Sequence, residues 1–209
     1  MGYGYTIQRG ACRCTDFSFE DRCTAIKQLI SPEEVQHLWY PWVPTSPSSS
    51  PPNAPIEVAR FLQQSFAEGR LRYIDDPAHC DAWCSPAVTL ERGGGDCDDL
   101  AILAASLLEA AGLVSWVVTG FVQTEDGPAG HAWVEGHDED GRGYLLEATT
   151  GDIYLGRPDP YDARMAANRS ACKRIKRLQK PTSSWIPLLV TAAAGAVGLA
   201  LLSSSRRTG

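Results

Sequence analysis

The chain contains a cysteine, a histidine and a glutamate in an order that suits acyl transfer. Cys97 lies in the run GGGDCDD, His131 in GHAWVE and Glu147 in LLEATT. A thiol, an imidazole and a carboxylate can serve as the nucleophile, the base and the group that orients the base. These residue types predict a cysteine-dependent enzyme, provided that the fold brings the three side chains together.

The residues after Cys97 have the periodicity of an α-helix. Apolar residues recur at three- and four-residue steps over residues 100–111, and Gly112 is a typical left-handed stop. Asp96 is the predicted N-cap, with Asp99 three positions later in a variant of the capping box. Cys97 would then lie in the first turn, where unpaired amides and the helix dipole stabilise a thiolate.

Three predicted strands follow this helix. Residues 114–123 are rich in valine and aromatic residues and favour a buried strand. Residues 131–136 and 144–149 favour two further strands, joined by the loop sequence HDEDGRG. His131 and Glu147 are therefore expected on the two strands of one hairpin.

The length of the hairpin loop decides whether Glu147 can reach His131. With a two-residue turn at positions 140 and 141, Glu147 would pair with Val134 and point to the opposite face of the sheet. A working triad therefore requires an odd loop or a bulge, with residue 131 or residue 133 opposite Glu147. Asp152, just beyond the hairpin, is the substitute carboxylate if Glu147 is misplaced.

The combined motifs resemble the transglutaminase-like superfamily of papain-like fold. The order DxWxSPxxTLxRGGGDCDDLA, GHAWVE and LLEATT is most similar to bacterial transglutaminase-like cysteine peptidases, over residues 56–157. The resemblance implies an α+β core in which a nucleophile helix packs on an antiparallel sheet. It also implies that Cys97 is the nucleophile, His131 the base and Glu147 the third member, where the family more often has Asp.

The resemblance extends to Trp83, which lies in the sequence DAWCSP upstream of the nucleophile. Trp83 could line the acyl pocket, or its indole N–H could help bind an oxyanion alongside the backbone amide of Cys97. The alternative is a tryptophan that packs against the nucleophile helix and donates its N–H to a carbonyl.

The aspartates beside Cys97 oppose its activation, because nearby negative charge raises the pKa of a thiol. An imidazolium at His131 would offset them. The resemblance to certain exported members suggests another solution, a calcium ion held by Asp96 and Asp98. Two carboxylates are too few to define a calcium site, so we favour capping by Asp96, with Asp98 and Asp99 solvated, and predict no required cofactor.

The length and the composition of successive segments predict one core domain with flanking segments on both sides. Its 209 residues suit a single well-packed core, and the net charge of −6 gives no sign of a nucleic-acid partner. The predicted segments are a cysteine-containing extension (1–43), a Pro/Ser-rich linker (44–55), the catalytic core (56–157), a basic connector (158–184), a transmembrane helix (185–202) and a short tail (203–209).

The cysteines number seven, which is odd, and no apolar segment at the start resembles a secretory signal. We therefore expect reduced thiols in a cytosol-facing domain rather than a disulfide framework. Reduced structural cysteines are favoured over zinc ligands because no spacing matches a standard zinc knuckle. The zinc alternative would use Cys12, Cys14 and Cys23, completed by one of His79, Cys80 and Cys84.

Residues 185–202 form a run of eighteen residues without charge. As a helix this run would span about 27 Å, close to the roughly 30 Å of a bilayer core. Basic residues end the preceding segment, a predicted helical connector over 161–179, and place the catalytic domain on the cytoplasmic or virion-interior side. Small residues at 194 and 198 would allow packing into a homo-oligomer or larger assembly. The alternative is a helix buried in a soluble assembly.

Together these features predict a membrane-anchored cysteine peptidase that forms a thioester acyl-enzyme with a protein or peptide substrate. Water would release the acyl group in a peptidase, and a lysine or polyamine would release it in a transamidase that cross-links proteins. We favour hydrolysis because no residue marks an amine site. A third class is a catalytically inactive assembly protein, such as a virion membrane component, in which the triad is unused.

Overall fold

The computed structural model describes residues 11–39, 53–78 and 80–176, and the backbone of residues 187–188. The helices in these ranges are α1 (Phe19–Leu29), α2 (Pro32–Val35), α3 (Ala54–Ala67), α4 (Pro86–Arg92) and α5 (Cys97–Ala110), with a 3₁₀ turn at Gln36–Trp39. The strands are β1 (Cys12–Thr15), β2 (Arg72–Tyr73), β3 (Asp81–Cys84), β4 (Gly94–Gly95), β5 (Ser115–Thr124), β6 (Gly127–His137), β7 (Gly143–Glu147), β8 (Asp152–Leu155), β9 (Tyr161–Ala167), β10 (Cys172–Arg174) and β11 (Pro187–Leu188).

An antiparallel sheet of seven strands forms the frame of the fold, in the order β10-β9-β5-β6-β7-β8-β11. Helix α5 packs on one face, where Leu103 and Val134 belong to the main apolar core. The alternate residues of β6 and β7 point to the other face, where Trp133 and Leu145 form a smaller cluster. The predicted arrangement, a helix that begins at Cys97 and packs on an antiparallel sheet, is confirmed.

The periodicity of residues 100–111 correctly predicts helix α5. Asp96 is its N-cap and accepts the backbone N–H of Asp98 at 3.3 Å. Gly112 has a φ of 86° and is the left-handed residue that follows the helix. Because residues 98–108 are all buried, burial of apolar surface stabilises this helix far more than its intrinsic propensity does.

Two glycines allow the chain to enter α5 through a crowded space. Strand β4 runs parallel to β2, with Gly94 beside Arg72. A β-carbon on Gly94 would overlap the carbonyl oxygen of Arg72, and one on Gly95 would overlap the carboxylate of Asp99. A side chain at either position would force backbone or buried groups apart, so these glycines fix the path of the chain to Cys97.

Six of the seven cysteines form disulfides, in the pairs Cys12–Cys84, Cys14–Cys80 and Cys23–Cys172. The prediction of reduced structural thiols is therefore wrong, and the alternative of zinc ligation by these cysteines fails for the same reason. Cys97 is the free thiol. Since disulfides persist mainly in oxidising compartments, the predicted cytoplasmic or virion-interior location loses the support that reduced thiols gave it.

The disulfides attach the N-terminal extension to the rest of the fold. Strand β1 pairs with β3, and this pairing sets Cys12 opposite Cys84. Helix α1 is joined to the edge strand β10 through Cys23 and Cys172. Ala25 and Ile26 of α1 also lie in the main core, so the described part of the extension packs with the predicted catalytic core rather than apart from it.

The structure differs from one prediction for the C-terminal part of the chain, and a second prediction falls almost entirely outside the described residues. Residues predicted as a helical connector (161–179) form β9 and β10, because pairing with β5 overrides the helix propensity of their alanines and arginines. The predicted transmembrane helix (185–202) lies outside the described residues except at 187–188, which form β11 beside β8. Among the helices that the structure describes, none has the length and hydropathy needed to cross a membrane.

Candidate active site

Strands β6 and β7 place His131 and Glu147 on the same face of the sheet. Their register pairs Val134 with Leu146, so the next pair along would be Trp133 and Glu147. This is one of the two registers that a triad requires, and the loop between the strands has the odd length of five residues. His131 Nε2 lies 2.7 Å from Glu147 Oε2. The structure therefore brings the predicted base and the predicted carboxylate together.

Glu147 is buried, and its carboxylate makes four hydrogen bonds with three residues. Its Oε2 is bonded to His131 and to the hydroxyl of Tyr161 at 2.9 Å, while Oε1 accepts the backbone N–H and the hydroxyl of Thr149 at 3.1 and 2.7 Å. Burial by itself would raise the pKa of Glu147, but the bonds and charge of these partners outweigh it and hold that pKa below its ordinary value. Glu147 is therefore an ionised acceptor.

The bond to Glu147 determines which nitrogen of His131 is free for proton transfer. An ionised carboxylate accepts the hydrogen on Nε2, so Nδ1 carries the lone pair of the neutral ring. The imidazole is 15% exposed and stacks on Trp133, with 6.1 Å between ring centroids. His131 is thus held in an orientation that leaves Nδ1 available as a base.

Cys97 is the first residue of α5 and is partly buried. The backbone N–H of Ala132, the residue after His131, acts on the sulfur to lower the pKa of the thiol. Burial raises the pKa of the Cys97 thiol above its ordinary value, and the charges of Asp98 and Asp96 raise it further. The sulfur therefore lies against the strand that carries the predicted base, and it needs a base to ionise near neutral pH.

The aspartates that follow Cys97 are buried, so the prediction that they are solvated is wrong. Asp98 and Asp99 are 4% and 0% exposed, because the first turn of α5 is covered by β3 and α4. Asp99 accepts the backbone N–H of Cys84 at 2.6 Å and lies 3.6 Å from the guanidinium of Arg92. Burial is the main cause that raises the pKa of Asp99 to about 7 and the pKa of Asp98 well above its ordinary value.

These carboxylates are also the residues that could hold a metal ion. One oxygen each of Asp96 and Asp98 and the sulfur of Cys97 lie within 4.8 Å of one another. In the described part of the chain, one oxygen each of Asp76, Asp98 and Asp99 is buried without a hydrogen-bond partner. The Asp99 oxygen lies 3.6 Å from Arg92, whereas Asp76 and Asp98 form no ion pair in the described structure. Buried carboxylate oxygens of this kind fit a hard cation such as calcium, which binds about six to eight oxygens. Asp96 and Asp98 are the residues that would hold it.

The structure disagrees with one predicted alternative for Trp83 and makes the one for Asp152 unnecessary. Trp83 is 1% exposed in the main core, and its indole N–H has no partner among the described residues, so it does not bond to a carbonyl there. Its role in an acyl pocket or oxyanion site stays a prediction. Asp152 accepts a hydrogen bond from the hydroxyl of Thr150 at 2.8 Å. Glu147 contacts His131, so Asp152 is not needed as the substitute carboxylate.

Three residues of the site were not identified from the sequence. Thr149 lies two positions after Glu147, a spacing at which hydroxyl side chains often form local bonds, and this signal could have identified it. Tyr161 gave no signal, because its segment was predicted to be a helix. Tyr73 is 53% exposed on β2, where burial, followed by the charge of Cys97, raises its pKa. Tyr73 therefore lies at the rim of the site.

The fold is that of the transglutaminase-like cysteine peptidases. The calcium-bound structure of Legionella pneumophila LapG superposes with a TM-score of 0.50 and 21% sequence identity, over 74% of this chain and 93% of LapG. A second LapG structure also gives a TM-score of 0.50, over 71% of this chain and 90% of LapG. At this level of identity the likeness establishes the shared fold.

A match to a family model identifies the protein family of this chain. The model of the CEP76 peptidase-like domain matches residues 81–186, just over half of the chain, and the chain belongs to this family. Centrosomal protein of 76 kDa from Mus musculus is 35% identical over 106 residues, and its Danio rerio counterpart is 34% identical over 110 residues. These alignments cover 51% and 53% of this chain but 16% of each relative. The chain thus corresponds to a small part of those proteins.

Proposed function

We propose that this chain is a cysteine peptidase in which Cys97, His131 and Glu147 act as nucleophile, base and orienting carboxylate. The observation that carries the proposal is the 2.7 Å contact between His131 Nε2 and the buried Glu147. The residue after His131, Ala132, has a backbone N–H that lowers the pKa of the Cys97 thiol, which supports a position of the sulfur beside this strand. Attachment to a membrane through 185–202, a part of this proposal, rests on the sequence alone, and the pairing of residues 187–188 with β8 leaves 189–202 for a membrane segment.

The chemistry follows from the free nitrogen of His131. Nδ1 takes the proton from the Cys97 thiol, and the thiolate attacks the carbonyl carbon of an amide. The oxyanion that forms would be stabilised by the backbone N–H of Cys97 and, if it can reach, by the unpaired indole N–H of Trp83. His131 then gives its proton to the departing amine, which leaves a thioester on Cys97. Water, deprotonated by His131, attacks the thioester and releases the acid.

A chromogenic ester tests the proposal without knowledge of the natural substrate. We expect p-nitrophenyl acetate to give a burst of p-nitrophenol equal to the protein concentration, followed by slow turnover. Intact mass and peptide mapping should place one acetyl group on Cys97. The Cys97→Ala variant should give no burst, and His137→Ala, which removes an exposed histidine of the same strand, should match the parent. Acetylation at other residues with none at Cys97 would contradict the proposal.

Two other functions give different results in the same assay. A transamidase would divert the acyl group to an added alkylamine in preference to water, and the amide product would report it. A non-enzymatic assembly module would give neither burst nor thioester. The names of the matched relatives call them centrosomal proteins, and this segment is a small part of their length, so we propose the module as the second candidate.

We also propose that Asp96 and Asp98 bind calcium beside the nucleophile. The proposal is supported by the buried oxygen of Asp98 that lacks a hydrogen-bond partner in the described structure and by the proximity of an Asp96 oxygen to an Asp98 oxygen, within 4.8 Å. Without metal, the raised pKa values of Asp98 and Asp99 mean that the native state holds protons that the unfolded state releases. The free energy of unfolding therefore falls as the pH rises from the ordinary carboxyl pKa, about 4, to about 7. Calcium would offset this loss of stability, because it neutralises the same charges.

The melting temperature tests this proposal. At neutral pH we expect millimolar calcium to raise it by several degrees, at about 2–4 °C per kcal/mol for a chain of this size. At pH values near 4 the effect should vanish, because protonated carboxyls do not bind calcium. The Asp98→Asn variant should lose the response at neutral pH, whereas Asp126→Asn, in an exposed turn, should keep it. An equal response in Asp98→Asn would show that calcium binds elsewhere.

A further inference from the structure

Both carboxylate oxygens of Glu147 take part in hydrogen bonds. Besides His131, it receives two hydrogen bonds from Thr149 on Oε1 and one from Tyr161 on Oε2. A glutamate side chain has one more rotatable bond than an aspartate side chain, so its carboxylate can adopt more orientations. The partners on Oε1 lie two residues away along the chain, whereas Tyr161 lies on β9, on the far side of β5 and β6. Besides His131, Tyr161 is therefore the hydrogen-bond partner of Glu147 that comes from a distant segment of the chain.

The ring of Tyr161 is itself held in place. Tyr161 pairs with Val122 on the neighbouring strand, and its ring meets Trp133 edge-on at 5.1 Å between centroids. Burial, followed by the charge of Glu147, raises the pKa of Tyr161, so its hydroxyl keeps its hydrogen and donates it. The same Glu147 oxygen that receives this hydrogen also contacts His131 Nε2.

We propose that Tyr161 is a positioning residue that holds Oε2 of Glu147 in line with His131 Nε2 and thereby supports proton transfer from Cys97. This inference rests on the proposed function of the three residues. Without the hydroxyl, Oε2 has His131 as its remaining partner. The bonds from Thr149 still hold Oε1, but the carboxylate can tilt about its extra bond and move Oε2 out of line with His131. The imidazolium that forms when Cys97 loses its proton would then be less well stabilised.

The alkylation of Cys97 by iodoacetamide measures this effect, since Cys97 is the free thiol. We expect Tyr161→Phe to lower the rate constant at neutral pH about fivefold to tenfold, within the range expected for the net contribution of one hydrogen bond. This variant keeps the ring and its packing on Trp133. The matched control is Tyr154→Phe, because the Tyr154 ring lies 6.4 Å from that of Tyr161 and its hydroxyl makes no bond to Glu147 in the described structure. Its rate should equal that of the parent.

A double-mutant cycle separates positioning from packing. In a Glu147→Ala background, whose folding is checked by circular dichroism, Tyr161→Phe should change the rate less than about twofold, because there is no carboxylate left to hold. An equal loss in both backgrounds, or no loss in the parent background, would overturn the positioning role. A parent rate that equals that of His131→Ala would instead overturn the proposed function, so the two failures are distinguishable.

Discussion

Replacing His131 with alanine should slow the alkylation of Cys97 by iodoacetamide about a thousandfold at neutral pH. Burial and the charges of Asp98 and Asp96 raise the pKa of the thiol, so Cys97 alone holds almost no thiolate near neutrality. In the proposed mechanism, His131 accepts the proton in the parent, and the thiolate is stabilised beside an imidazolium. The variant loses that acceptor, and the unfavourable environment of the sulfur then determines its reactivity.

The pH dependence of the rate gives the sharper test. In the variant, the rate constant should rise about tenfold for each pH unit through the alkaline range, because the thiol must ionise directly. In the parent, the rate should reach a plateau near neutral pH, where the Cys97–His131 pair already exists. The variant His137→Ala should follow the parent. Superimposable profiles for the parent and His131→Ala would mean that the two side chains do not act as a pair.

Removing the Cys23–Cys172 bridge should lower the free energy of unfolding by about 4–5 kcal/mol. The bridge joins residues that are 149 positions apart, so it restricts the unfolded chain over a long loop. It also ties helix α1 to the edge strand β10 of the main sheet. The double variant Cys23→Ala/Cys172→Ala avoids a stray thiol, and its loss of stability should appear as a lower midpoint in guanidinium chloride.

Reduction of the parent provides the comparison for this experiment. Dithiothreitol should shift the unfolding midpoint of the parent to or below that of the double variant, since it opens all three bridges. Reductant should lower the midpoint of the double variant further, because two bridges remain in it. If the parent unfolds at the same denaturant concentration with and without reductant, the bridges contribute no stability.

The sequence was sufficient to predict the parts of the site that depend on local periodicity. Apolar spacing placed α5 and its N-cap Asp96, and the glycine-rich entry placed Cys97 in its first turn. The two-residue repeat of strands required an odd loop if His131 and Glu147 were to meet, and the observed register has that property. These predictions succeed because they depend on geometry within one helix or one hairpin.

The parts that were not predicted depend on contacts between distant segments. Cysteine pairing cannot be read from spacing, since β1 and β3 bring Cys12 opposite Cys84 only in the folded sheet. The segment that begins at Tyr161 has the composition of a helix and becomes a strand through pairing with β5. Asp99 was expected in solvent, yet in the folded protein it is buried and accepts the backbone N–H of Cys84 on β3.

The division of the seven cysteines into six that cross-link and one that stays free has a consequence for how the protein must be made. During biogenesis every thiol is a candidate for mispairing, and a wrong bond to Cys97 would both block the nucleophile and leave another cysteine without its native partner. Early packing of α5 on β6 would guard against this error, because it partly withdraws the sulfur of Cys97 from solvent before the other thiols are oxidised. Recombinant production should therefore pair an oxidising host with a disulfide isomerase, so that trapped isomers can be resolved.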